Sequence, residues 1–212
     1  MKTSTRKSPL ALAVLSLLIE ESMHPYRMQQ IMKEREMHAV INIKHRTSIY
    51  QTIDRLKRDE AIVIKEKKQE EGKPELTVYQ ITEKGRSLAH SWIKEMMALP
   101  REEFPEFPAA LAFIMLLTPE QAADLLDERK SVLEQELEKI KQRILKAEQL
   151  GVPRVSLLET EFQQVTLKAE IDWVASIVFE LRKGSLYWSE EWLRKILEQM
   201  QSHTDNNKHK GV

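Results

Sequence analysis

The chain has 212 residues, 42% of them hydrophobic and 31% charged, with equal numbers of acidic and basic side chains and a net charge of zero. Such a composition is globular and helix-rich, and the length suffices for one large core or two small ones. The glycines, Gly72, Gly85, Gly151, Gly184 and Gly211, stand too far apart for a P-loop or a dinucleotide fingerprint, and the absence of cysteine excludes disulfides, a thiol nucleophile and a thiolate metal site.

A basic start, Met1 to Lys7, precedes the apolar run Pro9 to Ile19 and imitates a secretory signal. The run ends at Glu20–Glu21 without a small-x-small cleavage site, and Leu10, Ala13, Val14, Leu17 and Leu18 share one helical face. It reads as a core helix from Ser8 to Glu21, capped by Ser8 with Pro9 in the first turn. No apolar run reaches the ~18 residues of a membrane span, so a cytoplasmic protein without a membrane segment is expected.

A break at Ser22–Met23–His24–Pro25 leads to a second helix, Tyr26 to Arg35, and then to a connecting segment, Glu36 to Arg46. A third helix is expected from Thr47 or Ser48, whose hydroxyls suit an N-cap, to about Asp59. Ile62 to Lys67 and Leu76 to Ile81 read as two strands joined by the polar turn Lys68 to Pro74. Thr82 then caps a long helix with the apolar stripe Leu88, Ala89, Trp92, Ile93 and Met96. Three helices, a hairpin and a helix are the order of a winged helix-turn-helix.

Beyond the hinge Phe104 to Pro108 come a short apolar helix, Ala109 to Leu117, and a helix from Thr118–Pro119–Glu120 to about Leu150. On the latter, Leu126, Leu133, Ile140 and Ala147 recur every seven residues with Leu137 and Ile144 between them, a coiled-coil-like seam. Gly151–Val152–Pro153 separates it from a helix of about Ser156 to Arg182; a terminal helix, Ser189 to Met200, and a polar tail follow. The expected fold is mainly α with a small β-hairpin. Residues 1–103 form a winged helix-turn-helix DNA-binding domain, 104–201 an all-helical dimerisation and effector domain, and 202–212 a disordered tail.

Charge divides between these halves: residues 1–100 carry a net +5 and residues 101–212 a net −5, so the first half is the one that suits a polyanion. Projected at about 100° per residue, the third helix turns Ile49, Ile53 and Leu56 inward. Thr47, Gln51, Asp54, Arg55 and Arg58 lie on or near the opposite face, flanked by Ser48 and Tyr50. Hydroxyls and an amide near a helix start suit base edges, glutamine in particular pairing a donor and an acceptor with adenine. Lys44, His45 and Arg46 add cations just ahead, and Lys73 stands at the glycine–proline tip of the hairpin, where a wing meets the DNA backbone. The DNA-binding set read here is Lys44, His45, Arg46, Thr47, Ser48, Tyr50, Gln51, Arg55 and Lys73. Lys57 and Arg58 read instead as an ordinary solvated face.

Leu10–Leu18, Met23–His24–Pro25–Tyr26, Ser48–Ile49–Tyr50 with Leu56, and Val78–Tyr79–Gln80–Ile81–Thr82–Glu83–Lys84–Gly85–Arg86 together resemble the N-terminal domain of PadR-type regulators. Glu170–Ile171–Asp172–Trp173 is similar to a motif late in the family's C-terminal domain, and the long helical region resembles its larger subgroup. Pro25 departs from the glycine that many relatives carry but leaves the helix start intact. The resemblance implies a homodimer formed through C-terminal helices, repression at an inverted-repeat operator in double-stranded DNA, and release by a small molecule. Trp92, Met96, Phe107 and Trp173 are the expected contacts of an aromatic or hydrophobic effector.

An enzyme is not expected. His24, His38, His45, His90, His203 and His209 show no metal-ligand spacing, and no nucleophile, base and orienting group are set together, so no catalytic residue, metal or cofactor is assigned. The alternative is a winged-helix adaptor that binds proteins and not DNA. The cationic start of the third helix together with Lys73 argues against it.

Overall fold

Ser8 has extended backbone and its Oγ accepts the Ala11 N–H, so the first helix, α1 (Pro9–Glu20), starts where a capping serine precedes proline. The computed structural model describes residues 7–41, 46–69, 76–189, 191, 192, 194 and 195, with the backbone alone for Ala39, Arg46, Thr47 and Lys68. The chain divides into two compact units, Met1–Glu103 and Phe104–Val212.

In the first unit α1 is followed by α2 (Pro25–Glu34), a 3-10 turn at Met37–Ala39, α3 (Arg46–Arg58), β1 (Ile62–Lys68), β2 (Leu76–Ile81) and α4 (Glu83–Ala98). The Arg35 guanidinium grips Glu20 through both carboxylate oxygens, at 2.6 and 2.7 Å, tying the end of α1 to the end of α2. That hydrogen bonding holds the Glu20 carboxyl below its usual range. Its small contribution to stability is therefore present above the ordinary carboxylate pKa and lost as pH falls through the lowered one. β1 and β2 pair antiparallel, Ile62 against Ile81 and Lys68 against Leu76, with Lys65 as the extra residue of a bulge between Ile64 and Glu66. Beyond β2, Met23 exchanges both backbone hydrogen bonds with Tyr79, at 3.2 and 3.0 Å, which fastens the α1–α2 connection to the hairpin.

The core of this unit joins Leu15, Leu17, Met28, Met32, Ile49, Ile53, Leu56 and Ile62. α3 ends in a Schellman motif. Glu60 takes a left-handed φ of 60°, its N–H donates to Lys57 O, and the Ala61 N–H donates back to Leu56 O. The Ala61 carbonyl then accepts the Thr82 N–H at 3.1 Å and shares the Thr82 hydroxyl proton, at 3.0 Å, with the Glu60 carbonyl at 2.8 Å, while Thr82 Oγ1 accepts the Gly85 N–H and so caps α4. A Cβ on Gly85 would stand 2.1 Å from that same carbonyl oxygen, so the Tyr79–Thr82–Gly85 spacing of the sequence is a packing requirement.

The second unit contains α5 (Glu106–Ala112), a 3-10 turn at Ile114–Leu116, α6 (Pro119–Gln149), a 3-10 turn at Arg154–Leu157 and α7 (Leu158–Lys183). α6 opens with a full capping box between Thr118 and Gln121. Ala122, Ala123 and Leu126 of α6 pack on Val174, Val178 and Leu181 of α7, with Trp188 closing the cluster by donating its Nε1–H to Leu117 O. Among the described residues no helix is long and apolar enough to cross a membrane.

Several boundaries differ from the sequence reading. α3 is already helical at Arg46, so neither Thr47 nor Ser48 is its N-cap; both lie in the first turn. Ile93 is exposed, because Gly85, Ala89 and Trp92 already occupy the inward side of α4 and residue 93 lies about 100° further round. α5 begins at Glu106 and absorbs Pro108 into its first turn, where a missing N–H costs nothing, and it stops at Ala112 rather than Leu117. The seven-residue seam of α6 packs within the chain: Leu126 and Ile140 are buried and Leu133, Leu137, Ile144 and Ala147 half-buried, in a helix packed along α7. The terminal helix and tail lie largely outside the described residues.

Replacing Gly85 by alanine should cost about 2–3 kcal/mol, because backbone and not a flexible side chain must move. Thr82→Ala should cost about 1–2 kcal/mol as a lost cap. Urea denaturation measures both, and a Gly85→Ala protein as stable as the parent would contradict the packing described.

Candidate nucleic-acid interface

α3 presents two faces. Ile49, Ile53 and Leu56 are 2%, 1% and 0% exposed and form the inner one, as their spacing of four and three requires. Tyr50 is half exposed, and Gln51, Asp54, Lys57 and Arg58 are exposed. Ser48 is half-buried, and its carbonyl accepts the Thr52 hydroxyl at 2.7 Å inside the helix. Asp54 lies 3.9 Å from Lys57, and Arg58 lies 3.8 Å from Asp59, so these charges neutralise one another along the end of the helix.

Of the DNA-binding residues read from the sequence, Ser48, Tyr50, Gln51 and Arg55 are thus carried by one helix. Arg46 and Thr47 belong to the same helix by backbone alone, and Lys44, His45 and Lys73 lie outside the described residues. Arg55 is not an extended surface cation. It is half-buried, and its Nη2 reaches back 3.4 Å to Ser8 Oγ at the start of α1. Ser8 was legible in the sequence as a cap, but its place beside α3 is a tertiary contact that no local pattern announces. Tyr26, half exposed on α2 and stacked on His24 with ring centroids 6.2 Å apart, is a further surface aromatic of this unit.

The four residues read as effector contacts divide between the two units, two in each. Trp92 is 5% exposed and belongs to the core of the first unit, with Met96 half-buried one turn on. Phe107 and Trp173 meet edge to face in the second unit, centroids 6.2 Å apart. The Arg129 guanidinium lies 3.6 Å over the Phe107 ring and donates from Nε and Nη2 to Glu170. Phe107 and Arg129 also border an apolar cavity of about 440 Å³ between α5 and α6, lined further by Phe113, Ile114, Leu125 and Leu126. Among the described residues no three histidine or carboxylate side chains are grouped to hold a metal ion.

A helix pair with an outward-facing third helix, followed by a hairpin and α4, defines the class: a winged helix-turn-helix unit, here joined to a helical unit. Residues 14–91, the bulk of this unit, match the transcriptional regulator PadR-like family. Both units enter the likeness to solved structures. Bacillus subtilis PadR in complex with operator DNA is 20% identical, with a TM-score of 0.67 over 82% of this chain and 99% of that one. The same protein in complex with p-coumaric acid is 21% identical, with a TM-score of 0.65 over 82% and 98%. The Vibrio cholerae virulence activator AphA is 17% identical, with a TM-score of 0.63 over 82% and 98%. At these identities the likeness establishes the fold. No curated protein matches the chain.

Proposed function

We propose that this protein is a sequence-specific DNA-binding transcriptional regulator that acts as a homodimer with α3 as its recognition helix. The carrying observation is the two-faced α3: a fully buried Ile49–Ile53–Leu56 side holds the helix rigidly while Tyr50 and Gln51 stand free near its start. Side chains at that depth reach base edges in a major groove. The likeness to a PadR bound to operator DNA supports the same use of the fold.

The dimer is assigned to α7. Leu158, Phe162, Val165, Ala169, Asp172, Ser176 and Phe179 follow alternating steps of four and three and are all exposed, Phe162, Val165 and Phe179 by 71%, 67% and 64%. This is a second coiled-coil seam on a helix whose first seam is already packed on α6, and a second copy of the same seam is its natural cover. The sequence reading had given the dimer to the C-terminal helices as a whole.

The regulator is assigned as a repressor released by a small aromatic or hydrophobic molecule, received beside Phe107 and Arg129 in the α5–α6 cavity. That cavity is apolar with a single guanidinium at its edge, and a PadR has been solved with p-coumaric acid. A protein described as an activator shares the fold, so the repressor assignment rests on the family resemblance and not on the fold.

Selection from a random duplex pool should return an inverted repeat with half-sites about 10 bp apart or a multiple of that; recovery of no preferred sequence would favour the protein adaptor. On the selected site Gln51→Ala should cost about 1–3 kcal/mol, with much less lost on random DNA and no change in melting temperature. Lys73→Ala should weaken both duplexes alike and reduce the salt slope by about 1 per site. Phe162→Glu should yield folded monomers by sedimentation, and an unaltered dimer would move the interface elsewhere. Phe107→Ala should abolish release of DNA by phenolic or other apolar acids in a titration, and unchanged release would displace the effector from this cavity.

A further inference from the structure

Between the start of α1 and the flank of α3 lies a separate cavity of about 350 Å³, lined by Ser8, Leu10, Ser48, Gln51, Thr52 and Arg55. Among the described residues its only charged lining group is Arg55. The Arg55 Nε is buried and has no hydrogen-bond partner, and its Nη2 makes only the 3.4 Å contact to Ser8 Oγ. Neighbouring carboxylates are committed elsewhere, Asp54 toward Lys57 and Asp59 toward Arg58. Among the described residues Arg55 forms no ion pair.

A guanidinium is charged at every relevant pH and carries five N–H donors in a planar fork. Partial burial without a counter-ion is unfavourable for it, and an oxyanion arriving in the cavity would relieve that cost with charge-assisted bonds. The remaining lining suits the same guest. The hydroxyls of Ser8 and Ser48 and the Gln51 amide are donors, whereas the Thr52 hydroxyl is spent on the Ser48 carbonyl. Arg55 lies one turn beyond Gln51 on the same side of α3. An anion held by Arg55 is therefore held beside the residue assigned to base reading.

We infer that the Arg55–Ser8 cavity is a seat for one backbone phosphate of duplex DNA, which sets the depth and register of α3 in the groove. The inference rests on α3 being the recognition helix and names the group that positions it. In this role Arg55 is sequence-blind, and α1 becomes part of the DNA-contacting surface through Ser8.

The test uses the full chain, the selected duplex and a random duplex, with affinity measured across a salt series. Arg55→Gln removes the charge and keeps the shape. It should weaken both duplexes by the same factor, about tenfold, and lower the salt slope by about 1 per site. Ser8→Asp keeps a good N-cap for α1 and places a carboxylate against Arg55, filling the seat from within. It should match the loss of Arg55→Gln while the melting temperature holds or rises, and the double variant should be no weaker than Ser8→Asp alone. Inorganic phosphate should raise the melting temperature of the parent but not of Arg55→Gln. Variants that bind both duplexes as tightly as the parent, with the parental salt slope, would overturn the seat and leave the recognition helix standing. A loss confined to the selected duplex would make Arg55 a base reader and also overturn it. A folded parent that binds no duplex at any salt would overturn both readings.

Discussion

The carbonyl oxygen of Ala61 receives two hydrogen bonds from Thr82 and lies against the bare Cα of Gly85, so a single backbone atom joins the end of α3, the root of the hairpin and the first turn of α4. The Schellman turn at Glu60 delivers that carbonyl, and the Met23–Tyr79 bridge fixes the other side of the same hairpin to the start of α2. The outward face of α3 inherits its direction from this junction. A helix whose inner side chains pack at 0–2% exposure cannot rotate to improve a contact with a guest. What it presents is decided before any ligand arrives.

The second unit solves a different problem with the same periodicity. A long helix with one apolar seam needs one neighbour, and α6 finds it in α7. α7 carries two seams: Thr160, Leu167, Ile171, Val174, Val178 and Leu181 turn toward the fold, while Leu158, Phe162, Val165 and Phe179 are exposed. Intramolecular pairing has the advantage of high effective concentration, so the first seam is satisfied within the chain while the second stays exposed. The intramolecular pair is also held by polar contacts, Arg129 with Glu170 and Arg182 with Asp124 and Asp127, that fix which residues face each other.

Much of the first unit was legible because its signals are local. The caps at Ser8 and Thr82 and the period of α3 each follow from a few adjacent residues, and the resemblance around Tyr79, Thr82 and Gly85 has a physical cause in the Ala61 contact. What was misjudged depended on distant partners. The α6 seam was legible as a coiled-coil seam, but nothing nearby in sequence says that α7 folds back on it. Trp92 was read as a ligand contact because it sits on the helix that joins the two domains, and its side chain packs in the core of its own unit. Arg55 read as a surface cation, and only its contact with Ser8, forty-seven positions earlier, shows it half sequestered.

The bulge at Lys65 has a bearing on solubility. β1 is an edge strand, paired on one side by β2, with Val63 and Ile64 exposed by 45% and 42%. A flat strand with two such residues side by side is a template for pairing with another chain, and from there for aggregation. The extra residue twists the strand just after Ile64, and the charged run Lys65–Glu66–Lys67 makes the continuing edge hostile to a partner strand. The irregularity therefore works against extension of the sheet along this edge.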